Sequence, residues 1–170
     1  EYFFYIGGND SMDTIKKLSY YAMIRGIDIR FIGVPKTIDN DLAATDHTPG
    51  YGSAAKYISS ILKEVIRDGL VYDQKNVTIV EIMGRNAGWL AGAAALARCE
   101  DCEGPDMIFL PEIDFDIDCF IERVDKIQRE KESVVIALSE GIKLPDGRYV
   151  CELTDYAQYV DAFGHKLLAG

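Results

Sequence analysis

The stretch with the most unusual chemistry is PKTIDND, residues 35–41, which follows the apolar run IRFIGV. Its carboxylates, Asp39 and Asp41, are two residues apart, so both can face one cleft in an extended or turn segment. One can then take a proton from a hydroxyl while the other orients its neighbour or binds a cation. Lys36 supplies a point charge for a phosphate, and Thr37 a hydroxyl donor. The combination predicts a catalytic turn for phosphoryl transfer. The alternative, a solvated acidic turn, leaves the Lys–Thr pair unexplained.

Two further turns contain groups that suit an anion. In GGNDS, residues 7–11, paired glycines let a phosphate approach the backbone, and Ser11 can cap the next helix. A tight turn with a good N-cap explains the same residues equally well. In MGR, residues 83–85, the glycine frees the turn and Arg85 stands at a helix start, where its charge is unfavourable unless it faces an anion. The alternative for Arg85 is an ion pair with Glu81.

Each of these turns follows an apolar run, as does SEG at residues 139–141. Glu140 could accept hydrogen bonds from substrate hydroxyls or from local backbone amides, and the residues alone favour neither. The runs are continuous rather than alternating, which is typical of strands buried on both faces of a parallel sheet. Five such strands are predicted: 2–6, 29–34, 77–82, 107–110 and 134–138.

Segments with helical spacing separate the strands. Apolar residues recur at three- and four-residue steps from Met12 to Ala22 and from Ala54 to Val65, and the small apolar segment 86–97 predicts a well-buried helix. Alternating strands and helices predict an α/β fold with a doubly wound, mostly parallel sheet and helices on both faces. Ligands of such sheets bind beyond the carboxyl ends of the strands, where the polar turns lie.

Composition limits the partners. A net charge of −10 argues against nucleic acid and acidic lipid surfaces, and no apolar stretch is long enough for a membrane helix. Cys99 and Cys102 form a CxxC without a second pair at zinc spacing, so reduced cysteines and a cytoplasmic location are expected. The sequence opens directly on a predicted strand. We therefore expect residues 1–170 to form one α/β unit within a longer chain.

In their order along the chain, GGNDS, PKTIDND, TPGYGSAAKY, MGRNAGWLA, SEG and FGH resemble the 6-phosphofructokinases. The resemblance covers essentially the whole sequence. It implies a two-domain α/β enzyme with the active site between the domains, assembled as a dimer or tetramer. It also implies phosphoryl transfer to the 1-hydroxyl of fructose 6-phosphate with Mg²⁺.

The resemblance also implies a role for individual residues. Asp39 would be the general base, supported by Asp41, with Lys36 and Arg85 as the catalytic cations. The sugar phosphate would be bound by Met83, Gly84, Arg85, Glu140 and, at its phosphate end, His165. The transferred phosphoryl group and the donor would contact Gly8, Asp10, Ser11, Lys36 and Thr37.

Two positions bear on the phosphoryl donor. ATP users of the family resemble GGDGS and PGTIDND, whereas pyrophosphate users resemble GGDDS and PKTIDND. This sequence has Asp10 and Lys36, which favours pyrophosphate because the carboxylate repels a nucleotide's inner phosphate and the lysine adds a cation. Asn9 replaces an aspartate that helps to hold Mg²⁺, so Asn9 and Asp10 are the candidate metal ligands. An ATP-dependent kinase and a non-catalytic phosphate-binding domain are the alternatives.

Overall fold

A computed structural model describes residues 1–153 of the chain. Within these residues, four α-helices, five strands and two short 3₁₀ helices follow one another. In chain order they are β1 (Tyr2–Gly7), α1 (Asn9–Arg25), β2 (Arg30–Pro35), α2 (Tyr51–Gly69), β3 (Asn76–Ile82), α3 (Trp89–Gly92), a 3₁₀ helix (Ala93–Ala97), β4 (Met107–Phe109), α4 (Ile117–Gln128), β5 (Ser133–Ser139) and a 3₁₀ helix (Val150–Leu153). All five predicted strands are present, each within one residue of its predicted ends.

Every strand pair is parallel, which confirms the α/β prediction. The strands divide between two sheets, a distinction that the sequence does not reveal. One sheet pairs β1 with β2, and the other has the order β3-β5-β4 with β5 in the centre. Residues 36–50 and α2 connect the two sheets.

The three-stranded sheet has helices on both faces. Val135 and Ala137 of β5 belong to a buried cluster with Leu62 of α2 and the alanines of α3 and the following 3₁₀ helix. Val134 and Ile136 point the other way and pack with side chains of α4. Alternate residues of one strand thus serve two helical layers, as a doubly wound sheet requires.

Burial on both faces holds for β5 but not for every strand. Val134, Val135, Ile136 and Ala137 are at most 3% exposed, because β5 lies between two strands and two helical layers. Among the described residues, β1 is paired only with β2 and packs mainly on α1, and its side chains from Tyr2 to Ile6 are exposed. The expectation of burial on both faces is therefore wrong for β1. In β3, which lies at a sheet edge, half-buried and exposed side chains alternate along the strand.

The predicted helices over 12–22 and 54–65 are confirmed as parts of α1 and α2. The segment 86–97 departs from prediction, because its helix begins only at Trp89 and tightens to 3₁₀ geometry at Ala93. One side of the segment is buried as expected, since Ala91, Ala94 and Ala97 pack in the cluster with α2 and the sheet. The expected burial is wrong for the other side, where Trp89 and Leu96 are exposed. No helix within residues 1–153 has the length and apolar character that a bilayer crossing requires.

Candidate active site

The first two polar turns lie side by side because β1 and β2 are paired neighbours. Gly7 is in register with Pro35, and the Lys36 amide donates to the Gly7 carbonyl at 2.9 Å. Lys36 Nζ is 3.7 Å from the point that a Cβ on Gly8 would occupy. The ammonium group therefore lies close to the paired glycines, where a phosphate could approach both.

The other two turns are neighbours for the same reason. Ile82 of β3 is in register with Ser139 of β5, and the Glu140 amide donates to the Ile82 carbonyl at 2.9 Å. The Glu140 side chain then accepts a hydrogen bond from the Gly84 amide at 3.2 Å. Glu140 therefore accepts from a backbone amide, which is one of the two roles that the sequence left open for it. Its side chain also lines the pocket described next.

Both pairs of turns contribute to one open pocket with a volume of about 470 Å³. Seven of its eight lining residues come from the turns singled out by sequence. The lining residues are Asn9, Asp10, Asp39, Asp41, Met83, Arg85, Asn86 and Glu140. Asn86 was missed, although its position next to Arg85 was an available signal. Strand ends from two separate sheets therefore meet at one site, as proposed for ligand binding in α/β folds.

The pKa of Asp39 is shifted by its surroundings in this pocket. Partial burial raises its pKa above the usual 3.8 of an aspartate, and the nearby carboxylates of Asp41 and Glu140 raise it further. Lys36 and Arg85 act in the opposite direction with a smaller effect. Its Oδ1 atom is buried and has no hydrogen-bond partner within residues 1–153. A buried carboxylate oxygen with a raised proton affinity is suited to accepting a proton from a ligand.

Arg85 does not form the ion pair with Glu81 that sequence left open. Within the described part of the chain, neither Arg85 nor Lys36 has a carboxylate within 4 Å. The pKa of Glu81 is raised by burial and by Glu140, whereas an arginine partner would lower it. Two cations thus stand near Asp39 without forming salt bridges, and they remain able to bind an anion.

The turn that carries Asp39 is held by its own side chains. Thr37 Oγ1 accepts from the Asp39 amide at 3.0 Å, which leaves the threonine proton able to donate to a ligand. Asn40 is buried and has a left-handed backbone with φ of 60°. Its Oδ1 accepts from the Thr48 amide at 2.9 Å, and its Nδ2 donates to the Asp46 carbonyl at 3.3 Å. The turn is therefore anchored rather than simply solvated.

These contacts predict that Asn40 supports the turn through both backbone and side chain. Asn40→Gly keeps the left-handed conformation but leaves the buried Thr48 amide unpaired, and we expect it to cost about 2 kcal/mol of unfolding free energy. Asn40→Ala adds the left-handed penalty and should cost about 3 kcal/mol. Urea unfolding of both variants checks the order. Equal stability of wild type and Asn40→Gly would contradict the anchoring role.

Ser11 is not the helix cap that the sequence suggests. Helix α1 begins at Asn9 with Gly8 as its N-cap, and no side chain caps it. Ser11 Oγ lies only 2.1 Å from the position of a Cβ on Gly7, so a larger residue than glycine would collide there. The helix therefore starts three residues earlier than expected. Ser11 packs against the turn, whereas Asn9 and Asp10 line the pocket.

Neither the cysteines nor the histidines add a metal centre to the described residues. No group of three or more His, Cys, Asp or Glu side chains within residues 1–153 is arranged to hold a metal. Cys99 and Cys102 are free cysteines whose backbones pair in a tight bridge, and the Cys99 thiol donates to Asp101 Oδ1 at 3.1 Å. His165, expected at the phosphate end of the sugar, lies outside the described residues.

Comparison with known proteins gives consistent matches. The family described as phosphofructokinase (PFK) matches residues 1–169. The chain is 44% identical to the pyrophosphate–fructose 6-phosphate 1-phosphotransferase of Xanthomonas campestris and 41% identical to that of Halomonas elongata. Each alignment covers 99% of this chain and 40% of the relative, so the chain spans about two fifths of these relatives. Among solved structures, the chain is similar to the crystal structure of a pyrophosphate-dependent phosphofructokinase from Marinobacter aquaeolei, with 46% sequence identity and a TM-score of 0.69. That match covers 84% of this chain and 37% of the Marinobacter chain.

Proposed function

Because this chain belongs to the phosphofructokinase family, we propose that its protein transfers a phosphoryl group from pyrophosphate to the 1-hydroxyl of fructose 6-phosphate. The products are fructose 1,6-bisphosphate and inorganic phosphate. The proposal depends above all on Asp39, which lies near carboxylates and cations from three turns and has a raised pKa. Its buried Oδ1 atom has no hydrogen-bond partner within residues 1–153. A structural carboxylate would instead be expected to have its own hydrogen-bond donors.

In the proposed step, Asp39 accepts the proton of the sugar hydroxyl as the oxygen attacks phosphorus. A new O–P bond forms, the bridging P–O bond of pyrophosphate breaks, and inorganic phosphate leaves with the electron pair. The raised pKa of Asp39 suits a base that must hold this proton in the transition state. Asp41 and Glu140 sustain that pKa through their own charges.

The cations provide the electrostatic part of the mechanism. Phosphoryl transfer is catalysed mainly by positioning and charge stabilisation. Lys36, close to Gly8, is placed to bind the compact anionic donor, and Thr37 is placed to donate to the transferred group. Arg85 lines the same pocket without a carboxylate partner in the described chain, so it can steady the charge that develops there.

On the acceptor side, we assign sugar binding to the turns after β3 and β5. Met83, Arg85 and Glu140 line the pocket, and Gly84 is bonded to Glu140. Residue His165 completes the proposed set at the sugar's phosphate end. The donor assignment rests on Asp10 and Lys36, because a carboxylate in the first turn of α1 opposes a nucleotide's inner phosphate and a lysine favours pyrophosphate.

The pocket fits Mg²⁺ in its donor chemistry. Its lining is rich in the carboxylate and amide oxygens that magnesium prefers. Asp10 and Asn9 would hold it, and the bound ion would neutralise phosphate charge. The cytoplasmic location and the dimer or tetramer implied by the resemblance stay predictions.

A donor comparison tests the proposed function. The protein that carries this sequence is incubated with fructose 6-phosphate, Mg²⁺ and either pyrophosphate or ATP, and fructose 1,6-bisphosphate is followed by phosphorus NMR. We expect product with pyrophosphate, and the reverse reaction from the bisphosphate and inorganic phosphate. Turnover with ATP alone would overturn the donor assignment. No turnover with either donor would favour the non-catalytic alternative.

A further inference from the structure

We infer that Ser139 is a positioning residue for sugar binding. It holds the Met83–Arg85 turn in place through a buried hydrogen bond and does not touch the substrate. The inference rests on the proposed function, and it concerns a residue to which neither sequence nor resemblance assigned a role. Ser139 ends β5 and is 0% exposed. Any effect on a ligand must therefore pass through the groups that it contacts.

The Ser139 hydroxyl joins two turns. Its Oγ donates to the Gly84 carbonyl at 2.7 Å and accepts from the Gly141 amide at 3.0 Å. Both the proton and a lone pair are thus used in a site from which water is excluded. A buried hydroxyl is costly unless it is bonded. The five residues before Ser139 in β5 are all apolar, so an apolar residue would suit this position equally well if these bonds had no role.

Gly84 is held from both sides by consecutive residues of the neighbouring turn. Ser139 bonds its carbonyl, and Glu140 bonds its amide at 3.2 Å. Gly84 has φ of 126°, a conformation that residues other than glycine rarely adopt. Together the two bonds fix the orientation of both peptide groups that flank Gly84, and hence the directions of Met83 and Arg85.

The same two turns are also in very close contact. A Cβ on Gly141 would lie only 1.9 Å from the Arg85 carbonyl oxygen. The Ser139 hydroxyl therefore lies where the two turns are closely packed. If the hydroxyl were removed, water could not enter to replace its hydrogen bonds. We infer that Ser139 keeps Arg85 and Glu140 at a fixed separation, which determines how well the sugar phosphate fits between them.

Ser133 provides a matched control at the other end of the same strand. It is also buried, and its Oγ donates across to Asn76 Oδ1 on β3 at 3.0 Å. It stands six residues from Ser139, roughly 20 Å away along the strand. Ser133→Ala and Ser139→Ala each remove a buried serine hydroxyl from β5. The Ser133 hydroxyl bonds β5 to β3, and the Ser139 hydroxyl bonds β5 to the turn after β3. Only Ser139 lies beside the pocket.

The test is the Michaelis constant for each substrate in Ser139→Ala, Ser139→Thr and Ser133→Ala of the protein that carries this sequence. We expect Ser139→Ala to raise the KM for fructose 6-phosphate about tenfold, as the loss of well-aligned hydrogen bonds allows. The KM for pyrophosphate should stay unchanged, since both hydrogen bonds of the Ser139 hydroxyl go to the sugar-binding turns after β3 and β5. Ser139→Thr should restore the sugar KM. Ser133→Ala should leave both constants unchanged while lowering the unfolding temperature comparably.

Equal changes in the KM for fructose 6-phosphate and the KM for pyrophosphate, or the same change in Ser133→Ala, would show that Ser139 has only a structural role and would overturn the inference.

A hydrogen-exchange measurement tests the inference without any activity. The Gly141 amide should exchange faster in Ser139→Ala but not in Ser133→Ala, and unchanged exchange would also overturn the inference. If Ser139→Ala does not fold, Ser139→Cys keeps the size with weaker bonds and should show smaller changes of the same kind. An inactive wild type would refute the proposed function, whereas the exchange result would still decide the Ser139 contact.

Discussion

Asp39→Asn should lower kcat for phosphoryl transfer to fructose 6-phosphate by about a thousand-fold, within the range that general base catalysis supplies. The substitution keeps the shape of the side chain and removes its negative charge and its ability to accept a proton. The KM for each substrate should change little, because binding depends on other groups in the pocket. Steady-state kinetics with pyrophosphate as donor check the loss.

The same substitution should not weaken the fold. In the folded protein Asp39 binds its proton more tightly than in the unfolded chain, because its pKa is raised. The wild-type unfolding free energy therefore falls as pH rises from 3.8 through that raised pKa. Asp39→Asn lacks this decrease, so at neutral pH it should be at least as stable as the wild type. Loss of activity together with loss of stability would indicate a structural role instead.

Asp41→Asn is the matched control for this prediction. Asp41 lines the same pocket and raises the pKa of Asp39 through its charge. Its removal should lower kcat much less than Asp39→Asn does, and should move the acid limb of the rate profile to lower pH. If Asp41→Asn were as damaging as Asp39→Asn, the assignment of the base to Asp39 alone would be wrong.

The double variant Asp10→Gly, Lys36→Gly should change the preferred phosphoryl donor. Loss of the lysine removes a charge-assisted bond, so kcat/KM for pyrophosphate should fall about 10- to 100-fold. Loss of the carboxylate from the first turn of α1 removes the repulsion of a nucleotide phosphate, so kcat/KM for ATP should rise about tenfold. The ratio of the two constants, measured with saturating fructose 6-phosphate, reports the change.

Single variants separate the two effects. Lys36→Met keeps the apolar stem and loses only the charge, so it should weaken pyrophosphate use without improving ATP use. Asp10→Gly alone should account for most of the gain with ATP. If both donors lost activity in parallel in every variant, these positions would support catalysis in general and would not select the donor.

The strands and the site turns could be predicted because each is a local pattern. An apolar run followed by glycine and charge marks both the strand and its carboxyl end, and all five strands lie within one residue of prediction. Parallel pairing brings the turns together within each sheet, and the two sheets together place Asp39, Arg85 and Glu140 around one pocket. The phosphofructokinase-like α/β fold implied by the resemblance is confirmed by the solved structures.

The features that were missed depend on tertiary contacts. The division into two sheets follows from which strands pair, and a run such as YFFYI reads as buried whether or not a layer covers it. The start of α1 at Asn9 depends on Gly8 as N-cap and on the close fit of Ser11 against Gly7. The role of Ser139 could not be read from SEG, because it arises from a bond to a residue 55 positions away.

The pH dependence of kcat for the wild type and Asp39→Asn tests the base assignment most directly. For the wild type the rate should rise with pH up to the raised pKa of Asp39, above the usual 3.8, and then level off. The residual rate of Asp39→Asn should not level off there and should keep rising, as hydroxide takes over the removal of the proton. An inflection at the same pH in both proteins would show that another group titrates, and would contradict the role of Asp39.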